Sequence, residues 1–220
     1  MEENKRYPMP IPFGWYCVGQ SKDLEPGDVK PVRYFGQDQV LFRTSTGEVA
    51  MLDAYCPHLG AHLGHGGIIT NDCIECPFHA WRWKPDGTIG EIPYANKIPP
   101  RAKETQIFKY PTVEENKLIY AWYHPKGEAP TFDVQVHSEL KDPEWADEWD
   151  VYEYNVGCHI QDMAENAVDA AHFVYVHGVV SYPDFEVSYD GHKRISIQKA
   201  DMETPRAVSY THLTLPTTML

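Results

Sequence analysis

The stretches Cys56-Pro57-His58-Leu59-Gly60-Ala61-His62 and Cys76-Pro77-Phe78-His79-Ala80-Trp81 decide how this chain is read. The first holds a Cys-x-His pair, the second a Cys-x-x-His pair, and 17 residues lie between His58 and Cys76. Two thiolates and two imidazoles on two short loops can close on one metal centre. Either a tetrahedral zinc or a two-iron cluster with histidines in place of cysteines on one iron would accept that donor set. Zinc fingers put Cys with Cys and His with His on a ββα unit, whereas here each loop carries one of each. Proline follows both cysteines, and Gly60, Gly64, Gly66 and Gly67 crowd the first loop. Such residues suit loop tips that wrap a bulky cluster while leaving backbone N–H groups free to donate to its sulfides.

Taken together, these residues resemble the Rieske [2Fe-2S] family. The resemblance implies that Cys56 and Cys76 bind the inner iron and His58 and His79 the outer one. Respiratory members carry an additional cysteine in each loop, joined as a disulfide. Ala61 and Phe78 stand at those places here, so the likeness is to the low-potential oxygenase or ferredoxin branch.

Composition limits what surrounds that centre. A chain of 220 residues, 42% apolar and 13% aromatic, can bury a sizeable core as one large or two medium domains. Its net charge of −13 argues against nucleic acid or an anionic membrane surface as partner. There is no run of about eighteen apolar residues and no basic-then-apolar leader, so neither a membrane span nor a signal peptide is expected. With two of the five cysteines on the cluster, Cys17, Cys73 and Cys158 remain. An odd, irregularly spaced remainder suggests reduced thiols in a cytoplasmic setting.

In chain order, residues 1–11 read as a polar arm. Strands are expected at Trp15-Tyr16-Cys17-Val18-Gly19, Val32-Arg33-Tyr34-Phe35, Val40-Leu41-Phe42-Arg43-Thr44, Val49-Ala50-Met51-Leu52-Asp53-Ala54 and Leu118-Ile119-Tyr120-Ala121-Trp122-Tyr123, separated by Gly- and Pro-bearing turns. Residues 12–124 therefore predict a small antiparallel barrel or sandwich with the cluster at its tip. Residues 125–150 read as an acidic connector punctuated by Pro125, Pro130 and Pro143. Its acids, Glu139, Asp142, Glu144, Asp147, Glu148 and Asp150, suit a solvated face better than a docking surface for a basic redox partner.

A second constellation lies in Ile160-Gln161-Asp162-Met163-Ala164-Glu165-Asn166-Ala167-Val168-Asp169-Ala170-Ala171-His172-Phe173-Val174-Tyr175-Val176-His177-Gly178. Its helix formers predict a helix, with Gly178 as the stop. Asp169 and His172, three apart, would share a helical face. His172 and His177 are five apart, about 140° around an ideal helix. They can share an iron only if the helix ends or distorts before His177. Two imidazoles and a carboxylate around ferrous iron form a facial triad with open positions for oxygen, although a histidine pair on a half-apolar helix is, taken alone, more often structural.

Asn166-x-x-Asp169-x-x-His172-x4-His177 resembles the mononuclear-iron motif of Rieske non-haem iron oxygenases. The resemblance implies an α+β chain: an antiparallel β Rieske domain, then the start of a helix-grip catalytic domain over residues 151–207. It implies that His172 and His177 bind a mononuclear Fe(II), with Asn166 at a matching motif position. It implies too that Asp169 hydrogen-bonds an iron-ligating histidine and a cluster histidine of a neighbouring subunit, which requires a head-to-tail ring, a homotrimer.

Pro26-Gly27-Asp28-Val29-Lys30-Pro31, Asp53-Ala54-Tyr55-Cys56-Pro57-His58 and Ile92-Pro93-Tyr94 look most like 3-ketosteroid 9α-hydroxylases and cholesterol 7-desaturases, over residues 7–205. That likeness implies an oxygenase component taking electrons from NAD(P)H through a flavin- or ferredoxin-type reductase. With O2 it would hydroxylate or desaturate a hydrophobic ring substrate, a steroid. The alternatives are a ferredoxin-like electron carrier and an oxygenase of aromatic substrates. The family's third, carboxylate iron ligand comes far downstream. Asp184, Glu186, Asp190, Asp201 and Glu203 follow too closely, and none receives that role. The chain therefore reads as C-terminally truncated, and by itself is not expected to turn over. Residues 208–220 resemble a translated sequencing-library adapter and are expected to be an artefactual tail.

Overall fold

The computed structural model describes residues 9–142, 144 and 149–201. Pro12–Asp150 makes one unit, and residues 151–201 belong to a second. The first is built from short antiparallel strands: β1 (Gly14–Gln20), β2 (Val29–Tyr34), β3 (Gln37–Arg43), β4 (Val49–Asp53), β5 (Ile68–Thr70), β6 (Cys73–Glu75), β7 (Arg82–Trp83) and β8 (Ile89–Glu91). After one helical turn, α1 (Pro100–Lys103), come β9 (Lys109–Tyr110), β10 (Thr112–Glu115) and β11 (Leu118–Tyr123). They pair into three sheets, ordered β1-β11-β10, β2-β3-β4-β9 and β5-β6-β7-β8.

Tight turns fix these registers. Phe35 and Gly36, Asn71 and Asp72, and Asn116 and Lys117 all have positive φ. Each pair links two adjacent antiparallel strands, the arrangement that matches the right-handed twist of a hairpin. In the central sheet β3 and β4 are buried on both faces. Val40, Phe42, Ala50 and Leu52 point into a core containing Cys56, Leu63, Ile74, Cys76 and Trp83. The alternate residues Leu41 and Met51 point into another with Val18, Leu24, Tyr110, Ile119 and Ala121. The two-residue period of a strand thus divides one sheet between two cores, and the first of them underlies both cysteine loops.

Two polar devices hold the frame. Arg43, 9% exposed, uses all five guanidinium N–H groups: bidentate on Glu114 at 2.8 and 2.8 Å, and on the carbonyls of Leu24, Gly47 and Ser21. The Tyr110 hydroxyl donates to Asp53 at 3.0 Å. Burial pushes its pKa up to about 12, so it stays a donor at physiological pH.

Residues 125–150 lie with this unit. Indole N–H groups of Trp15, Trp122 and Trp149 donate to Phe132 O, Glu128 O and Asn116 O at 2.7, 2.9 and 2.8 Å, fastening the segment to the first sheet. Glu139, Asp142, Glu144 and Asp150 are exposed there. Asp147 and Glu148 lie outside the described residues, as does the 208–220 segment.

The second unit contains α2 (Ile160–Asn166), α3 (Ala170–Tyr175) and the hairpin β12 (Asp184–Asp190) with β13 (Lys193–Lys199). Instead of the single helix expected from 160 to 178, the chain breaks at 167–169. The reason is Asp169, which is extended (φ −79, ψ 101) and caps α3 by accepting from Ala171 N. A short carboxylate is worth more at an N-cap than inside a helix. No helix among the described residues is long and apolar enough to cross a membrane.

Candidate metal centres

The two cysteine loops are backbone twins. Gly60 N donates to Cys56 O at 2.9 Å and Ala80 N to Cys76 O at 3.0 Å; Cys56 N donates to Ala61 O at 2.9 Å and Cys76 N to Trp81 O at 2.8 Å. Each loop thus closes between the same offsets from its cysteine. The residue four beyond the cysteine is left-handed in both, Gly60 at φ 76 and Ala80 at φ 56. Glycine meets that demand freely, and alanine under strain. Gly67 completes the first loop's approach to the second: a Cβ there would strike the Leu63 carbonyl and lie 3.2 Å from Glu75 O.

This geometry sorts the four donors by depth. Cys56 and Cys76 are 1% and 3% exposed, whereas His58 and His79 are half-buried, their ring centroids 4.8 Å apart. Trp81 stacks on His58, centroids 4.3 Å apart and planes 6° from parallel, and its indole donates to Tyr94 Oη at 2.7 Å. Around the histidines Leu59, Ile68, Phe78 and Tyr94 stand exposed, the last three lining a depression of about 520 Å³ with Pro77 and His79.

The donors fit a two-iron cluster. Such a cluster takes two protein ligands per iron, and the buried cysteine pair and the shallower histidine pair offer that division. Burial pushes the Cys56 thiol up, opposed by the His58 backbone N–H and the Trp83 indole. That indole is buried with no hydrogen-bond partner of normal geometry, an arrangement costing about 1–3 kcal/mol unless an acceptor arrives. All five cysteines are free.

In the second unit α3 ends at Tyr175, Val176 caps it, and Gly178 turns the chain at φ 67. His177 thereby escapes the 140° separation of a continuous helix, and its ring centroid lies 5.2 Å from that of His172. His172 Nδ1 is 2.6 Å from the Asp169 carbonyl oxygen, which can only accept. The Nδ1 position therefore carries the proton and Nε2 the lone pair. Asp169 Oδ2 lies 3.8 Å from the same nitrogen. Asn166 ends α2, and its carbonyl accepts from Asp169 N at 3.4 Å. The tautomer of His172 and the capping role of Asp169 were not readable from spacing, though Asp before a helical run is a cap signal that could have placed α3.

Of the downstream acids, Asp184, Glu186 and Asp190 lie on β12, where Glu186 is tied to Lys199 at 2.7 Å. The Asp201 carbonyl accepts from Val180 N, and Glu203 lies outside the described residues.

Residues 14–111 match the family model of the Rieske [2Fe-2S] domain, and residues 121–217 that of the 3-ketosteroid 9alpha-hydroxylase C-terminal domain. The chain is similar to a cholesterol 7-desaturase of Ciona intestinalis, 42% identical over 170 residues, covering 77% of this chain and 35% of that protein. It is also similar to a 3-ketosteroid-9-alpha-monooxygenase oxygenase component of Rhodococcus rhodochrous, 37% identical over 183 residues, covering 81% and 47%. It thus spans between about a third and a half of these relatives' lengths. In fold it resembles the crystal structure of dicamba monooxygenase with non-heme iron and dicamba, at TM-score 0.64 and 24% identity over 88% of this chain and 55% of that one. The chain belongs to the Rieske oxygenase family, in the branch of the 3-ketosteroid 9α-hydroxylases and cholesterol 7-desaturases.

Proposed function

We propose that this chain is part of an oxygenase component that hydroxylates or desaturates a steroid with O2 and electrons drawn from NAD(P)H through a reductase. The observation that carries the reading is the presence of two metal-donor sets in one chain. One holds two buried cysteines with two paired histidines; the other holds His172 and His177, rings 5.2 Å apart, with Asp169 beside them. An electron carrier needs only the first set.

When bound, a [2Fe-2S] cluster supplies single electrons and a mononuclear Fe(II) activates dioxygen. The residues arrange the rest. Cys56 and Cys76 bury the inner half of the cluster site, while His58 and His79 bring its outer edge near the surface, where a partner can approach. The Asp169 carbonyl holds the His172 proton on Nδ1 and leaves Nε2 for iron. The Asp169 carboxylate, exposed beside that ring, is free to accept from a cluster histidine of a neighbouring subunit, which supports a head-to-tail homotrimer. Likeness to steroid-transforming relatives supports the substrate class, and Asn166 is kept with the iron site on motif position.

The test begins with the protein after reduction by dithionite: a rhombic electron paramagnetic resonance signal with two irons per cluster site is expected, and a colourless protein holding stoichiometric zinc would sink the reading. With the rest of the polypeptide and a reductase, O2-dependent conversion of a 3-ketosteroid or cholesterol is expected. Conversion of aromatic acids with no steroid product would move it to the aromatic class.

A further inference from the structure

A helix running unbroken through residues 160–178 would join Ala171 N to the Ala167 carbonyl, four residues back. Here both halves of that bond are taken by side chains. Ala171 N donates to Asp169 Oδ1 at 2.9 Å, and the Ala167 carbonyl accepts from the Gln198 side-chain amide at 2.6 Å. Ala164, Glu165, Ala167, Ala170 and Ala171 all favour the unbroken helix. With seven and six residues, α2 and α3 are too short to be stable alone. The break between them therefore depends on what holds it.

The hairpin supplies that hold. β12 and β13 pair without a register shift, Gln198 opposite Phe185. Along β13 Arg194, Ser196 and Gln198 are half-buried, while Ile195, Ile197 and Lys199 between them are exposed. The two-residue period of the strand thus turns Gln198 inward. The chain just beyond β13 holds the far end of the same motif, where Val180 N donates to the Asp201 carbonyl at 3.0 Å.

We propose that Gln198 is a positioning residue for Asp169. By occupying the Ala167 carbonyl it keeps the break open, and with it the extended Asp169 backbone whose carbonyl meets His172 Nδ1 at 2.6 Å. Without the amide, the half-buried Ala167 carbonyl has lost its partner, and Ala171 N is the donor that helix formation offers it. That exchange draws Asp169 into a helix interior, ends its capping role and turns its carbonyl along the helix axis, away from the imidazole. The inference deepens the iron-site reading above and rests on it.

Gln198→Met keeps the side-chain length and removes the N–H. In the full chain labelled with 13C and 15N, the Asp169 Cα resonance is expected to move from the extended to the helical range in this variant, with the β12–β13 cross-strand contacts unchanged. An Asp169 that stays extended overturns the proposal. If the variant does not fold, the parent chain provides a second measurement: a scalar coupling across the hydrogen bond from the Gln198 side-chain nitrogen to the Ala167 carbonyl carbon is expected, and its absence overturns the proposal equally. In the complete enzyme, iron affinity read from the ferrous-nitrosyl signal is expected to fall about tenfold in Gln198→Met with the cluster signal unchanged, and an unchanged affinity overturns the proposal. A parent enzyme with no iron at His172 and His177 would instead sink the iron-site reading, which the Asp169 resonance does not test.

Discussion

The indole of Trp81 lies on the imidazole of His58 with 6° between their planes and 4.3 Å between centroids. That contact and the hydrogen bond from the indole to Tyr94 cover one face of the imidazole. Such a pair is worth about 0.5–1.5 kcal/mol beyond its buried area. Trp81→Leu is therefore expected to fold normally by far-UV circular dichroism yet lose its cluster several-fold faster at 40 °C, followed by the decay of visible absorbance. An unchanged decay would show that His58 is held by other means.

Ala80 and Gly67 test the loop geometry in opposite directions. At φ 56 alanine bears left-handed strain of about 1–2 kcal/mol, which glycine relieves at an entropic cost of about 0.5–1 kcal/mol. Ala80→Gly is expected to keep the cluster with a Tm equal to or a few degrees above the parent, and Ala80→Val to lower it. Gly67→Ala places a methyl against the Leu63 carbonyl and is expected to lower Tm well beyond Gly19→Ala, whose Cβ would meet Leu41 at an ordinary 3.6 Å. Equal Tm values for the two glycine variants would refute the clash.

Arg43 and Glu114 give the cluster domain a definite acid sensitivity. The Arg43 guanidinium holds the Glu114 carboxyl below its ordinary range. A group whose pKa is depressed on folding contributes stability that is complete above its unfolded pKa, about 4.3 for glutamate, and is lost as pH falls through the lower folded value. The Tm gap between the parent and Glu114→Gln is expected to be constant at neutral pH and to shrink below about pH 4. Arg43→Met, which strands three carbonyls and a carboxylate, is expected to cost about 3 kcal/mol by urea denaturation; a loss under about 1 kcal/mol would mean water replaces the guanidinium.

Asp169 performs two separable tasks. Its Oδ1 caps α3, which asparagine can still do, while its charge beside His172 is lost on the same change. In the complete enzyme Asp169→Asn is expected to keep both metals and α3 but abolish product formation, whereas Asp169→Ala also loses the cap, worth about 1 kcal/mol. Normal turnover by Asp169→Asn would remove the carboxylate from the electron path.

The Rieske domain was legible because its signature is local: a cysteine, a proline and a histidine within four residues, repeated once. Strands β1, β3, β4 and β11 were legible from their apolar runs. Those of two to four residues, such as β6 and β7, carry too little periodicity to be read, and become strands only when the loops between them close. The break at Asp169 was hidden by good helix formers on either side, whose propensity a single capping carboxylate overrides.

Sequence by itself determined the two motifs, the family they resemble and their order, because residue identity and spacing are properties of the chain. Tertiary structure alone decided which donors are buried and that the rings of His172 and His177 come within 5.2 Å of each other. Those are relations between residues brought together by sheet register and helix termination. Neither is encoded in any one stretch, since both follow from how strands that are weak alone satisfy their hydrogen bonds and apolar faces together.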